Sequence, residues 1–525
     1  MFLKKTHSKN KTYYSIAETY RESGKVKHRI LGHLGSLDSL NKQQIRNLVL
    51  ALLKAIDSKD IVVNPEEIQE TERQNWGAVA VYQKLWQKFD LDSLLQRSWQ
   101  YRHFEFDALR SVFLMLLDRV ILPSSKLKTF NTQTKYFGLS PVSLQHLYRS
   151  LDLLADSKDE IEAGVFRKNV SLFNLTVDVV FYDVTTFYFE SQKNDALKTF
   201  GFSKDNKINE VQVVMGLLMD GEGRPVGFDL YPGNTFEGKT LETALDKLKE
   251  RFKIGKVILV ADRGLCSANN MALLKAKDYD YIVGAKLKTM SKAFQQQALD
   301  LSGYETIEQP AGEPGIRYKV LFEGEDRIVC TWTEKRARKD KADRERLLQK
   351  AEEMLKTPSK ITGKRGARKY LKTSTETQGL DLEKIKADEA WDGIYGIRTS
   401  TLELTPLDIY NAYHQLWKIE ECFRVLKTNL ETRPIYHWTP KRIKGHFVLC
   451  FLAFLLERTL ELLLKQENID YSVEKIRLSL DTLELSVVKI GQEDYLLRPN
   501  PDELATNILR ILEIKQPKPF QPFVV

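Results

Sequence analysis

The sequence predicts an α/β protein with a strand-rich core, preceded by a mainly helical N-terminal domain and interrupted by a β-rich, basic insertion. Three observations support this. Apolar, β-branched runs gather between about Leu175 and Lys288, helical periodicity dominates from about Thr71 to Arg167, and long helices return after Pro406. At 525 residues the chain exceeds what one hydrophobic core usually serves, so appended or inserted domains are expected.

Taken in order, the first 40 or so residues alternate basic, aromatic and polar positions, with Ser23-Gly24 as a hairpin turn between short strands. WGAVAVYQKLWQKF, FDALRSVFLMLLDRVI and SLQHLYRSLDLLA follow at helical spacing, without a helix-turn-helix signature. VDVVFYDVTTFYF, VQVVMGLLMD, RPVGFDLYPG, KVILVADRG and YDYIVGAKL then read as strands, and TLETALDKLKERF as a helix before the fourth. Asp220-Gly221 with Gly223 marks a tight turn between the second and third strands. Three strands in hairpin succession, a helix and a further strand is the order of a ribonuclease-H-like fold, although other mixed folds share it. From about Thr289 to Trp391 the core is interrupted by strand-like RYKVLFEGEDRIVCTWTE, a basic helix and GKRGARK, and DGIYGIRTS leads back. Helices are expected over Leu407 to Leu430 and Arg442 to Gln466, and the Pro-rich KQPKPFQPF tail should be extended. The domains expected are 1–165, 170–290, 291–395, 396–466 and 467–525, the second and fourth forming one core around the third.

The composition, 42% hydrophobic and 10% aromatic, excludes wholesale disorder. A net charge of +9 favours a polyanionic partner only weakly, but its location says more. Lys335 to Lys372 holds 15 Lys/Arg against 5 Asp/Glu, so one segment carries the surplus and the rest of the chain is close to neutral. A solvated helix face with i,i+4 ion pairs would explain the same run. Cys266, Cys330, Cys422 and Cys450 include no Cys-x-x-Cys pair, which argues against a zinc site or a disulfide framework and fits a reducing cytoplasm. MFLKKTHSKNK lacks the apolar stretch of a signal peptide, and the longest apolar run, Phe447 to Leu456, falls short of a membrane span. A membrane partner is therefore not expected. No Gly-x-Ser-x-Gly elbow appears, and the eight histidines show no partnered arrangement for a serine nucleophile.

The chemistry-bearing residues are carboxylates. Asp183 follows VVFY and is expected at or near the end of the first strand; Asp262 ends KVILVAD before the turn Arg263-Gly264. Strand ends are where open α/β sheets place ligand groups. Either aspartate alone is more often a helix cap or turn former, but the pair points to a site. The third piece is IYNAYHQLWKIEECFRVLKTNL. Leu416, Ile419, Phe423, Leu426 and Leu430 form one helical stripe that must pack on the sheet, and Tyr413, Trp417, Glu420, Arg424 and Lys427 form a second, about 60° round the helix. Glu421 points about 100° away from that second stripe. The bland reading is an amphipathic shoulder with a Glu420–Arg424 pair. Three carboxylates together suit Mg²⁺, which takes oxygen ligands and completes its shell with water and phosphate oxygens. Two such ions about 3.5–4 Å apart can serve an in-line displacement at phosphorus.

YDVTT, ADRGLCS followed by YIVGAKL, and Tyr413…Glu420…Lys427 resemble the motifs of bacterial insertion-sequence transposases of the DDE type. The branch is the one marked by a Tyr-Arg-Glu-Lys signature. The signature arginine position is Leu416 here, so a DNA contact there would fall to Trp417, Arg424 or Lys418. FGFSKD, KRARKD and RPIYHWTPKRIKGHF extend the resemblance, which spans Thr176 to Leu460. It implies a ribonuclease-H-like fold with a β-rich insertion between the second aspartate and the glutamate, for which the 158 residues from Asp262 to Glu420 leave room. It also implies Mg²⁺ or Mn²⁺, double-stranded DNA as partner at both terminal inverted repeats and target, and a homodimer that synapses two ends. Asp183, Asp262 and Glu420 would be catalytic metal ligands, and Tyr413, Arg424 and Lys427 would position phosphates. Lys335, Arg336, Arg338, Lys339, Lys364, Arg365, Arg368 and Lys369 would contact the DNA backbone. Arg263 would pair with Asp262 or touch DNA, and Trp417, Trp391 or Trp332 would stack on a base or fill a core. Residues 1–165 would bind end DNA, and 467–525 would dimerise or contact DNA. The rivals are a ribonuclease-H-like nuclease without strand transfer and a non-catalytic, domesticated DNA-binding descendant.

Overall fold

The computed structural model describes all residues except 9–10, 56–67, 174–178, 190–192, 202–209, 237–238, 246–257, 266, 308–314, 357–365, 374–377, 434, 492 and 524–525. The chain forms two compact units. One comprises Met1–Arg73, Leu485–Arg498 and Lys518–Val525, the other Gln74–Glu484 and Pro499–Pro517, so the expected 1–165 grouping spans both.

In the first unit, β1 (Phe2–Ser8), β2 (Lys11–Glu22) and β3 (Lys25–Ser36) form an antiparallel meander. Ser23 and Gly24 both have positive φ, 52° and 76°, as a two-residue hairpin turn that matches strand twist requires. β4 (Ile68–Asn75) lies in a second sheet with Glu484–Ile490, Glu493–Leu497 and Phe520–Pro522. The Pro-rich tail thus supplies an edge strand, the place where proline is tolerated.

The second unit is built on a nine-stranded mixed sheet. β5 (Val179–Tyr188), β6 (Gln212–Met219) and β7 (Pro225–Pro232) are consecutive antiparallel strands. β8 (Ile258–Ala261) and β9 (Asp280–Gly284) continue in parallel on the other side of β5. The β6–β7 turn is fixed by the Asp220 carboxylate, which accepts from the backbone N–H of Glu222 at 2.9 Å and of Arg224 at 2.8 Å. Of the expected TLETALDKLKERF helix, 240–245 is helical and the remainder lies outside the described residues.

The insertion does not make a separate sheet from its strand-like start. β10 (Glu305–Ile307), β11 (Ile316–Glu323) and β12 (Asp326–Trp332) extend the same sheet through β15 (Ile394–Thr399), which runs antiparallel to β9. The expected boundary at 395/396 falls inside β15. Between β12 and β15 come the basic helix Glu334–Lys356 and a small hairpin, β13 (Leu371–Thr373) with β14 (Gln378–Leu380).

Pro440–Gln466, a 27-residue helix buried along most of its length, covers one face of the sheet. Phe447 meets Phe187 at 5.1 Å and Phe228 at 6.3 Å, and Phe451 meets Phe228 at 5.6 Å between ring centroids. Each buried phenylalanine is worth about 1.5–3 kcal/mol. The N-terminal helices from Gly77 to Phe173 share this core instead of building their own. The Tyr82 hydroxyl donates to Glu457, and Gly445 lies so close to Leu151 that an added Cβ would sit 2.0 Å from its carbonyl oxygen. Among the described residues no helix is long and apolar enough to cross a membrane. Cys330, Cys422 and Cys450 are free and buried.

Candidate active site

Ladder register places the two aspartates. Tyr182 of β5 pairs with Ala261, the last residue of β8, so Asp183 and Asp262 are the next positions where β8 stops. Asp183 is not at the end of its own strand, as expected from the sequence. β5 runs on to Tyr188, with Asp183 opposite Leu217 of β6, because the β6 ladder keeps supplying hydrogen bonds after β8 has ended. Tyr182 and Val184 point into one core cluster, so the half-buried Asp183 faces the other side, which it shares with Phe187.

Asp262 is exposed and begins a single 3₁₀ turn, Arg263–Leu265, in which Leu265 N–H donates to the Asp262 carbonyl. Its carboxylate accepts from the Tyr413 hydroxyl at 3.4 Å, and the Tyr413 and Tyr395 hydroxyls are hydrogen-bonded to each other. Burial first, and then the Tyr395 and Asp262 oxygens, push Tyr413 far above the ordinary phenol range, so it stays protonated. The Arg336 guanidinium lies 4.3 Å from the centre of the Tyr395 ring. Gly284, at the end of β9, makes room for the pair: a Cβ there would sit 2.6 Å from both hydroxyls. Sequence reasoning missed Tyr395 and Gly284. The only signal was an aromatic within IYGIRTS, whose placement two strands from β8 depends on the long-range β15–β9 pairing.

The glutamate helix differs from the continuous Leu407–Leu430 expected. Pro406–His414 ends at a tight turn, Trp417–Arg424 follows, and Val425–Asn429 winds as a π-helix. The Leu416 N–H bonds Tyr413 and the Lys418 N–H bonds Gln415, both at i−3, whereas Leu430 N–H reaches back five residues to Val425. From Trp417 onward the two stripes sort as expected, whereas Tyr413 of the second stripe is buried and Leu416 of the first is half-buried. Ile419, Phe423, Leu426 and Leu430 are buried, whereas Trp417, Glu420 and Arg424 are exposed and Lys427 is half-buried. Lys427 lies 5.5 Å from the Phe187 ring, which puts its stripe on the Asp183 face of β5. Lys418 donates to the Gly221 carbonyl at 2.7 Å and ties the helix to the β6–β7 turn. Arg424 pairs with Glu421 at 3.5 Å, not with Glu420, whose carboxylate makes no hydrogen bond or ion pair among the described residues.

The sheet therefore brings Asp183 and Asp262 together. Among the described residues, no three His, Cys, Asp or Glu side chains close to metal-holding distance.

The basic segment divides. Lys335, Arg338 and Lys339 are exposed, and Arg338 pairs with Glu334 one turn away. Arg336 pairs with Asp340 at 3.5 Å, and Arg344 is buried against Asp392 and Glu389. Lys369 and Lys288 each hold Asp388 at 2.8 Å; they outweigh its burial and keep its carboxyl far below the usual range. Arg368 is half-buried, and Lys364 and Arg365 lie outside the described residues. Arg263, Lys288, Arg336 and Lys369 line a cavity of about 270 Å³ beside Tyr395. Trp332 and Trp391 pack against a core cluster, whereas Trp417 is 56% exposed.

Residues 177–456, more than half of the chain and including all three carboxylates, match the family model for the transposase DDE domain. The chain therefore belongs to the DDE transposase family, whose members are DNA-cleaving enzymes. Residues 3–61 match the N-terminal domain of IS1634 family transposases, which marks it as an insertion-sequence transposase. No curated protein matches the chain. Similar solved structures include the piggyBac transposase synaptic complex with hairpin DNA, at 8% identity over 85% of each chain and a TM-score of 0.39. The Mos1 mariner paired end complex with Mn is another, at 12% identity over 46% of this chain and 77% of that one, with a TM-score of 0.16.

Proposed function

We propose that Asp183, Asp262 and Glu420 hold a pair of divalent ions, Mg²⁺ with Mn²⁺ as a substitute, at which DNA is cut at the element's ends and the freed 3′-OH is joined to target DNA. The observation that carries this reading is the Tyr182–Ala261 register, which sets two carboxylates side by side where one strand stops. The donor set fits the ions, since all three side chains offer hard oxygen ligands and Glu420 carries no competing cation among the described residues. When bound, such ions lower the barrier to in-line displacement at phosphorus. The protein's own part is to orient. Tyr413, kept protonated, donates to Asp262 and fixes its carboxylate, while Tyr395 and Arg336 hold Tyr413 in turn. Lys427, Arg424 and Trp417 stand on the Glu420 stripe to receive phosphates, with Arg263 beside Asp262. Lys335, Arg338, Lys339, Arg368 and Lys369 would add backbone contacts.

The strand order β7-β6-β5-β8-β9, with β6 alone antiparallel to β5 and β8, supports a ribonuclease-H-like reading of this half of the sheet. Terminal inverted repeats bound by the N-terminal region, and a homodimer that pairs two ends, complete the proposal. The test is cleavage and joining of a labelled end duplex into plasmid DNA with Mg²⁺. Cutting and joining are expected. Cutting without joining would favour a nuclease, and undiminished cutting by Asp183→Ala, Asp262→Ala and Glu420→Ala would refute the site.

A further inference from the structure

Away from the carboxylates, a cavity of about 560 Å³ opens among the helices Ala108–Ile121, Lys126–Thr132 and Pro440–Gln466. Its lining sets Arg119, Lys126 and Lys128 beside Tyr148, Tyr436 and a His437 ring that burial keeps neutral, with one exposed carboxylate, Glu431. Lys126 is only 3% exposed, yet its ammonium makes no hydrogen bond or ion pair among the described residues. An unpaired buried ammonium is costly, and proteins seldom keep one without a use. Burial, and then the Arg119 guanidinium, pull Lys126 down to about 7. Arg119 is held rigidly by donating to the carbonyls of Ser124, Leu430 and Glu431, with its Nε left unpartnered. The nearby carboxylate cannot serve Lys126, because Asp118 already accepts from Ser124, Thr129 and Lys135. His446 Nε2–H donates to the Thr432 carbonyl at 3.1 Å, and burial keeps this ring neutral.

The rim is of a different character. Residues 435–438 alternate: Ile435 and His437 are buried, whereas Tyr436 is 62% and Trp438 76% exposed. Tyr436 lines the cavity, Trp438 stands exposed two residues further on, and the Arg442 guanidinium lies 5.1 Å from the Tyr148 ring. Exposed aromatics next to an enclosed cationic hollow are the parts of a site for a nucleotide carrying a terminal phosphate.

We propose that this cavity takes the 5′-phosphate end of a DNA strand, with the phosphate against Lys126 and Arg119 and the adjoining bases stacked on Tyr436 and Trp438. An internal phosphate of a duplex cannot reach a group so enclosed, whereas a strand end can. This inference rests on the DNA-cutting reading for the source of its ligand. When water attacks phosphorus and the P–O3′ bond breaks, the 3′ oxygen leaves as a hydroxyl and the phosphate stays on the 5′ side. Cleavage thus generates the end that the cavity fits.

The test uses the full chain in EDTA, so that the carboxylate site is silent, and measures anisotropy of a labelled single-stranded oligonucleotide bearing 5′-phosphate, 5′-hydroxyl or 3′-phosphate. The 5′-phosphate should bind about tenfold more tightly than the other two. Lys126→Met should erase that preference without weakening the 5′-hydroxyl strand, and Tyr436→Ala should weaken all three. Thermal unfolding checks that Lys126→Met is folded, and Lys126→Arg should keep the preference. Equal binding of the three strands, no binding of any, or a preference that survives Lys126→Met would overturn the proposal. A deoxynucleoside monophosphate that competes as well as the phosphorylated strand would also overturn it, in favour of a free nucleotide. Absence of cutting by the full chain in Mg²⁺, with the preference for the 5′-phosphate intact, would count against the DNA-cutting reading and leave this site standing.

Discussion

The aspartate corner and the glutamate helix hold their carboxylates in different ways. Asp183 and Asp262 are placed by a hydrogen-bonded ladder, and a one-residue slip of either strand would turn its aspartate to the wrong face. Glu420 is placed by helical phase on an element that tightens before it and loosens after it. The ladder makes a fixed half-site. The helix sets its carboxylate by winding, and among the described residues the three carboxylates do not converge to metal-holding distance. π-type segments are often found at functional sites, where a change of winding re-aims side chains.

The comparison breaks most severely if the carboxylates are not what matters. Asp183→Ala and Asp262→Ala should each lower the rate of end cleavage on the order of a thousandfold, the cost of losing several kcal/mol of metal-assisted stabilisation. Glu420→Ala should do the same, and Glu421→Ala should stay near wild type. Equal losses at Glu420 and Glu421 would show that helical phase does not select the ligand.

A smaller effect should come from the hydroxyl chain behind Asp262. Gly284→Ala forces a methyl group against both tyrosine hydroxyls, so single-turnover cleavage should fall about a hundredfold with DNA affinity unchanged. If Gly284→Ala cuts at the wild-type rate, the Tyr395–Tyr413 pair does not position Asp262. Smaller again is the basic helix. Replacing Lys335, Arg338 and Lys339 together by alanine should flatten the dependence of log affinity on log salt by about 0.9 for each phosphate no longer neutralised. An unchanged slope in a filter-binding titration would make the run a solvated helix face.

The smallest effect concerns the scaffold. Burial pushes Glu457 up to about 8 from an ordinary value of 4.5, against the lowering effect of the Tyr82 hydroxyl. The folded protein therefore holds this proton more tightly than the unfolded chain. The resulting stabilisation is full below pH 4.5 and is lost as pH rises through about 8. Glu457→Gln should reduce the fall in unfolding temperature between pH 5 and pH 8, measured by calorimetry; an unaltered fall would mean that Glu457 ionises normally.

Much of this was legible in the sequence because it is local. Strands β5 to β9 announce themselves through β-branched runs, and the 3,4 spacing of Ile419, Phe423, Leu426 and Leu430 fixes which face of the glutamate helix is buried. Non-local pairing was not legible. That Asp183 lies within a strand, and not at its end, depends on β6 outlasting β8. The continuation of the sheet into β10–β12 depends on β15 returning beside β9 after more than a hundred residues. The change of winding near Glu420 has no mark in residue type, since Gln415 and Leu416 are ordinary helix formers.

The most direct measurement exchanges an oxygen ligand for sulfur. A thiolate binds Mn²⁺ better than Mg²⁺, so Asp262→Cys should fail to cut end DNA in Mg²⁺ and recover cleavage in Mn²⁺, while the wild type cuts in both. If Asp262→Cys cuts equally well in the two ions, or in neither while Glu421→Cys shows the Mn²⁺ rescue and Glu420→Cys does not, the carboxylates assigned here do not hold the metal.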